Sequence, residues 1–364
     1  MPEKQSGCCH SFMRGSKQEP GQTALNIHEV FDMIPMLLKT LAIAVAITAA
    51  GAATAQERIT VRDSWTPSGL HAGWAWGLEK GMFSAAGLDV RHEDGNGSTT
   101  TVQLVGAGKI DVGYTDQSVM AIARGKGVPL VSIGGLINKT SLGIFVPKGS
   151  GITKVKDLEG KEVIYTSSSF EGPFIDALLK AGGTSRDKVE MVSVDAASKI
   201  SVYNSGKGMG MVTSIPFGAP YVEQARPSDF LLFADYGFVL PSYGLVVLED
   251  TLKARRPALT RLSKAFFEAW QQIAAGGEKT IGEAADILIK RRPDAKLNRE
   301  QTMASIREHI KFFRTPNTQG MPLGAQSAED WKAVIRSLEA ARLIPTGSAP
   351  EQYFTNTLVL GTAK

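Results

Sequence analysis

Residues Asp63–Val90, DSWTPSGLHAGWAWGLEKGMFSAAGLDV, crowd Trp65, His71, Trp74 and Trp76 into a dozen positions of a chain that holds five Trp and five His in all. RITVRDSW, which leads into this stretch, alternates apolar and polar residues as a half-buried strand does, and a helix ended by glycine follows. LDVRHEDG reads as a second strand. STTTVQLVGAGK opens on hydroxyl caps and becomes a helix, and IDVGYTD, QSVMAIARGKG and VPLVSIGGL continue as strand, helix and strand. Strands alternating with helices of about ten residues make a parallel sheet with crossover helices. The aromatic cluster therefore begins at a strand's carboxyl end, the edge at which open α/β sheets bind ligands.

The pattern then restarts. SLGIFVPKGSG reads as an extended segment crossing to a second lobe, where KDLEGKEVIYTSSS, FEGPFIDALLKAGG, VEMVSVD, ASKISVYNSGKG, MGMVTSIP, FGAPYVEQAR and FLLFADYG alternate strand and helix. PSYGLVVLED reads as a second crossing segment. The remainder shows about four amphipathic helices, with Leu259, Leu262, Phe266 and Trp270 at spacings of three and four. VGAGKIDVGYTD (Val105–Asp116) is echoed by YNSGKGMGMVTS (Tyr203–Ser214), each a helix end, a Gly-Lys turn and a buried strand. The fold expected is an α/β clamshell, each lobe a sheet flanked by helices. Residues 56–145 and 240–364 form the first lobe, 146–239 the second, and a two-segment hinge joins them.

A length of 364 residues fits two domains. With 43% hydrophobic and 21% charged residues the chain is ordinarily globular, and a net charge of +4 without a dense basic run gives no footing for nucleic acid. Lys39, the apolar run Leu41–Ala50 and the Ala53-Thr54-Ala55 triplet have the layout of a cleavable export leader, residues 36–55, too short to span a bilayer. Residues 1–35 would be an unusual extension upstream of it, so Met36 reads as the natural start. Both cysteines, Cys8 and Cys9, precede the cleavage point. The exported chain would have no disulfides, thiol chemistry or lipid-bearing cysteine, and is expected to be soluble and periplasmic.

WTPSGLHAG, AWGLEKGMFSAAGLDV and QLVGAGKIDVGY together resemble the opening of the nitrate/sulfonate/taurine-type solute-binding proteins of ABC importers. The Trp-x-Pro…His arrangement is most similar to the branch that includes thiamine-pyrimidine precursor binders and the related fungal pyrimidine synthase. KDLEGKEV and PEQYFTNTLV extend the likeness over roughly residues 58–360. The resemblance implies the type II periplasmic-binding-protein fold, closure about a small ligand, delivery to a membrane permease and a monomeric protein. It departs at Met209, where family members have an acid in the glycine-rich turn. It departs again in lacking the synthase's cysteine-rich motif, which argues against that enzyme activity.

In this architecture the loops after strands line the cleft. Trp65 either stacks on ligand or packs, and His71, opening the helix, is either a contact or a satisfied structural residue. Trp74 and Trp76 point about 200° apart on a helix and cannot both face one pocket. Gly95 and Gly97 would let backbone approach a ligand, with Ser98 and Thr99 offering N–H groups beside them. Asp116 is either a helix cap or a contact, with Gln117 next to it. In the second lobe Ser167, Ser168, Ser169, Phe170 and Glu171 precede a helix; Ser214 with Pro216, Asp235 with Tyr236, and Tyr243 complete the candidates. None of the first-lobe loops, nor TSSSFEGPF, contains Lys or Arg. A bidentate arginine is the usual complement to an oxyanion, so the balance favours a neutral or amine-bearing flat molecule over sulfonate, nitrate or taurine. Arg62 is the one basic residue singled out as able to reverse it. No His/Cys/carboxylate cluster has metal-ligand spacing, and no cofactor is implied.

Overall fold

Ten strands form two five-stranded sheets of one topology in this computed structural model, which describes residues 56–361; the expected leader, the extension before it and both cysteines lie outside the described residues. The first sheet contains β1 (Glu57–Asp63), β2 (Leu88–Glu93), β3 (Val112–Asp116), β4 (Leu130–Gly135) and a strand from much later in the chain, β10 (Tyr243–Leu248), in the order β2-β1-β3-β10-β4. The second contains β5 (Leu142–Pro147), β6 (Glu162–Tyr165), β7 (Glu190–Ser193), β8 (Gly210–Ser214) and β9 (Ser228–Leu232), in the order β7-β6-β8-β5-β9. In each sheet the first three strands of that order run parallel and the fourth is antiparallel to both neighbours. The echo between Val105–Asp116 and Tyr203–Ser214 is thus structural: β3 and β8 hold the same central position.

The segments read as crossings are those antiparallel strands. SLGIFVP supplies β5, which lies wholly in the second sheet although the expected boundary at 145/146 would divide it, and YGLVVL supplies β10 in the first. A strand that follows a crossing can pair at once with the sheet it enters, which satisfies its backbone groups. The true crossings, 136–141 and 237–242, are short and bonded to each other. The Leu136 and Ile137 N–H groups both donate to the Tyr243 carbonyl at 2.9 Å, and Ser242 N–H returns a bond to the Ile137 carbonyl at 2.9 Å.

Helices cover both sheets. The single helix expected after Trp65 is three pieces: a 3-10 turn at Gly69–His71, α1 (Ala72–Glu79) and α2 (Met82–Ala85), broken at Gly81, whose φ of 66° ends α1. Next come α3 (Ser98–Gly106), α4 (Gln117–Gly125), α5 (Ile175–Ala181), α6 (Lys199–Asn204) and α7 (Ile215–Val222), then the tail α8 (Glu249–Ala275), α9 (Gly277–Arg291), α10 (Arg299–Ile310) and α11 (Ala328–Ala340). Among the described residues no helix is long and apolar enough to cross a membrane. Leu259, Leu262, Phe266 and Trp270 of α8 are all buried, as their spacing predicts. They meet α1, where a Cβ on Gly73 would stand 2.3 Å from the Trp270 ring, so only glycine allows the approach. α10 reaches across the molecule and packs on α7 of the second lobe.

Trp74 is fully buried, its ring 4.2 Å from Phe266, 5.5 Å from Phe83 and 6.0 Å from Tyr114, centroid to centroid. Trp76 donates through Nε1 to Gln272 at 2.9 Å under the Lys80 ammonium. Both are packing residues on opposite sides of α1. Trp74→Ala should therefore cost about 3–5 kcal/mol, read as a lowered urea midpoint at unchanged slope.

Candidate functional site

The site grows from the end of β1. Asp63 is fully buried there, and its Oδ2 lies 2.9 Å from His71 Nε2 and 2.7 Å from His92 Nε2. Ser68 N–H donates to His71 Nδ1 at 3.0 Å, which leaves the proton on Nε2 facing the carboxylate. Burial alone would raise the Asp63 carboxyl, but the charges and hydrogen bonds of the two histidines outweigh it and hold it at about 2. His71 responds in kind: burial lowers it and Asp63 overrules, so its value is raised. The Asp63 contribution is present above 3.8, its ordinary value, and lost as the pH falls toward 2. Among the described residues no group of three or more His, Cys, Asp or Glu is arranged to hold a metal ion. His71 is thus placed in a buried charge cluster behind the loop.

Two residues on, Trp65 leaves the first lobe and enters the second. Its ring stands edge-on to Phe217 at 5.7 Å, with the Lys199 ammonium 4.6 Å from its centroid. Lys199 is completely buried, bonded to Glu171 Oε1 and to the Val212 carbonyl at 3.2 Å. Glu171 is also fully buried; Oε1 further accepts the Thr166 N–H at 3.1 Å, whereas Oε2 has no hydrogen-bond partner among the described residues. Burial lowers Lys199 and the Glu171 carboxylate opposes that shift. This buried lysine is one of the residues that sequence alone did not reveal. The loops around the cleft carry no cation, but α6 delivers one from behind them. Arg62, the basic residue anticipated, pairs instead with Glu93 at 3.4 Å.

Trp65, Ser169, Phe170, Ser214 and Tyr243 meet around one interlobe cavity, joined by Ser242 of the second crossing and by His309 of α10. His309 was not anticipated; it comes from the tail, and burial lowers its imidazole to about 4, keeping it neutral. The cavity holds about 20 Å3, room for about one water and far below the several hundred Å3 of a typical small-molecule site. The lobes are closed on each other. Trp65 Nε1, Ser169 Oγ and Glu171 Oε2, at this closure, are among the buried polar atoms without hydrogen-bond partners among the described residues. Native interiors leave few such atoms unpaired. A larger depression of about 660 Å3 lies elsewhere, between Met82, Phe267 and Leu323, and no candidate residue lines it.

Other candidates have different surroundings. Gly97 and Ser168 form a latch between lobes: Thr99 N–H donates to the Ser168 carbonyl at 3.0 Å, Ser168 Oγ donates to the Asn96 carbonyl at 3.0 Å, and a Cβ on Gly97 (φ 153°) would fall 2.3 Å from Ser168 O. Gly95 is likewise required by backbone, since its Cβ would meet Asp63 O at 1.9 Å. These glycines admit protein backbone in this closed form. Ser167 is exposed and its N–H donates to Ser193 Oγ at 3.2 Å. Asp235 is exposed, Tyr236 uses its hydroxyl to accept from Val155 N–H at 2.9 Å, and Pro216 is buried in the first turn of α7. Asp116 caps α4, its Oδ1 accepting from Ser118 and Val119 N–H at 3.0 and 3.1 Å. Gln117 lies over the sheet, accepting from Ser132 Oγ at 2.7 Å, with its own N–H tied to the Ser242 carbonyl of the crossing at 2.9 Å.

The chain thus has the two-lobe, type II periplasmic-binding-protein fold: mixed sheets flanked by helices, two crossings, and a cleft between the strands' carboxyl ends. A family model described as NMT1/THI5 like matches residues 69–279, more than half of the chain, and the chain belongs to that family. The formylaminopyrimidine-binding protein of Halalkalibacterium halodurans is 24% identical over 315 residues, 85% of this chain and 93% of the relative. The 4-amino-5-hydroxymethyl-2-methylpyrimidine phosphate synthase of Schizosaccharomyces pombe is 24% identical over 303 residues, 80% of this chain and 84% of that enzyme. The alkanesulfonate-binding protein SsuA of Xanthomonas axonopodis pv. citri, solved with MOPS bound, shares the fold at a TM-score of 0.60 and 15% identity, covering 84% of this chain and 99% of its own.

Asp116 gives the site a pH signature. Burial raises its carboxyl from 3.8 to about 7, opposed by hydrogen bonds from Val119, Ser242 and Ser118 and reinforced by Glu171. Because the folded state holds this proton longer than the unfolded chain, stability from this group is full below 3.8 and falls as pH rises through about 7. Between pH 5 and pH 8 it should cost wild type roughly 3 kcal/mol. Asp116→Asn keeps a capping oxygen and should remove that part of the loss, seen as a smaller fall in melting temperature from pH 5 to pH 8.

Proposed function

We propose that this protein is the exported solute-binding component of an ABC importer, capturing a planar nitrogen heterocycle of the pyrimidine class between its lobes and presenting it to a membrane permease as a monomer. The observation that carries this reading is the Trp65 ring set between Phe217 and Lys199, with unpartnered polar atoms around it. A flat ring can stack on an indole, and the free hydroxyl, indole N–H and carboxylate oxygens supply the hydrogen bonds that a heterocycle needs. The binding function printed for the Halalkalibacterium relative supports it. An oxyanion finds less here, because the buried lysine is already bonded to Glu171 and to a carbonyl.

Entry requires the lobes to part about the paired crossings, and closure is selected by contacts that the ligand makes to both. Residues 56–135 with 243–361 would move as one body and 142–236 as the other, so that β5 stays whole in the second, with the leader at 36–55 removed on export. The synthase activity printed for the Schizosaccharomyces relative is the rival reading, and the chain's cysteines, Cys8 and Cys9, precede both lobes.

Calorimetry of the protein from Gln56 onward should show binding of 4-amino-5-hydroxymethyl-2-methylpyrimidine and none of taurine, alkanesulfonates or nitrate; binding of the oxyanions alone would overturn the reading. Mass spectrometry of the protein incubated in a cell extract depleted of the pyrimidine should show none formed, and its accumulation would favour the synthase. Trp65→Ala should lose about tenfold to hundredfold in affinity, the value of about 1–3 kcal/mol for one stacked base, while losing far less stability than Trp74→Ala. Gly97→Ala should weaken binding by at least roughly tenfold and lower the melting temperature as well, because its methyl group would meet Ser168 O across the lobes and its φ of 153° disfavours an L side chain.

A further inference from the structure

Glu171 and Lys199 are the only fully buried acid–base pair of opposite charge in the second lobe among the described residues. Each stands one residue from the cavity wall or against it: Glu171 follows Ser169 and Phe170, and the Lys199 ammonium lies over the Trp65 ring. Their hydrogen bonding is unequal. The ammonium has two acceptors and an aromatic face, and so is satisfied; the carboxylate retains one buried oxygen, Oε2, with no partner. The pair as a whole carries no net charge, whichever partner holds the proton. The remaining cavity lining adds none, since His309 is neutral above about 4.

We infer that Lys199 is a positioning residue that sets ligand charge specificity: by neutralising Glu171 while leaving Oε2 free to accept, it makes the cleft select an uncharged N–H donor heterocycle over a cationic one. This deepens the pyrimidine reading and rests on it. A lone buried carboxylate would bind a cation or take up a proton. Paired with Lys199, it keeps its hydrogen-bonding capacity and loses its demand for a counter-charge. A cationic ligand would then bring an uncompensated charge into a closed cleft, whereas a neutral aminopyrimidine would bring only the donor that Oε2 lacks. Lys199 also fixes the carboxylate through Oε1, so that the free oxygen is the one turned away from the ammonium.

The test compares 4-amino-5-hydroxymethyl-2-methylpyrimidine with its N-methylpyrimidinium derivative at pH 8, by calorimetry on wild type, Lys199→Met and the double variant Lys199→Met/Glu171→Gln. All three are made in an Asp116→Asn background, because Asp116, ionised at pH 8, responds to the charge of Glu171 and would otherwise differ between them. Wild type should prefer the neutral probe. Lys199→Met should shift the ratio of affinities toward the cation by at least roughly tenfold, and the double variant, neutral again, should return it to the wild-type side. An unmoved ratio in Lys199→Met overturns the inference, as does equal loss of both probes, which would mark a purely structural lysine. If Lys199→Met fails to fold, the double variant decides alone: it has no buried charge to destabilise it, and a preference for the cation there overturns the proposal. Failure of wild type to bind either probe overturns the pyrimidine reading and this one with it; binding with an unmoved ratio overturns this one only.

Discussion

Asp63 is a carboxylate fully shut off from the surface, held by two imidazoles that reach it from different parts of the chain. Removing it from solvent is costly, and the pairing offsets that cost only if the 3-10 turn carrying His71 and the strand carrying His92 are both in place. Its backbone is engaged as well: Thr101 Oγ1 donates to the Asp63 carbonyl at 2.8 Å, and Gly95 packs against the same carbonyl. The loops after β1 and β2 and the start of α3 are therefore built around one residue. Trp65, two positions further along, inherits its direction from that arrangement. The ring can project into the opposite lobe because the backbone beneath it is fixed on every side.

The second lobe answers with another buried charge, balanced differently. Where the first lobe surrounds a carboxylate with imidazoles, the second places a lysine against a glutamate and lets the indole of the first lobe cover the ammonium. Charge is thus neutralised within each lobe, and the contact between them is largely aromatic and hydroxyl in character. Such a surface can separate and rejoin without exposing an unpaired ion, which suits two bodies that open and close. Asp116 is the exception, an acid held by a helix terminus and a crossing hydroxyl, and its raised value reflects burial, to which Glu171 adds.

Much of this was legible from residue order. Alternation of strand and helix predicted two α/β lobes, and the Gly-Lys echo predicted equivalent strands because the turn and the buried strand after it recur in both halves. Trp65, Ser169, Phe170 and Ser214 were placed in the cleft by the rule that ligands sit beyond carboxyl ends of strands, and Tyr243 by its place in the second crossing; all five line one cavity. What was not legible depends on packing between distant segments. Lys199 sits in an ordinary helical sequence, and nothing local marks it as buried. His309 lies 238 positions after His71 in the tail, and only the passage of α10 across the lobes brings it to the cavity. Gly95 and Gly97 were recognised as sites of close approach, but sequence does not say what approaches, and here it is backbone. The supposed crossings are apolar and extended, properties shared by a buried strand, so their membership in the sheets could not be separated from a linker's.

The exchange of strands also governs the order in which the chain can finish folding. Every strand of the second sheet lies between Leu142 and Leu232, one uninterrupted run. The first sheet starts earlier but has a gap between β3 and β4 that only β10, beginning at Tyr243, can fill. Until those residues arrive, β3 and β4 have no common neighbour and their backbone groups face one another across an empty row. A chain emerging from its amino end must therefore complete its second lobe before its first. The lobe that carries Trp65 remains unfinished until almost 200 residues after the start of β1 are available, so the aromatic side of the cleft is the last to take shape.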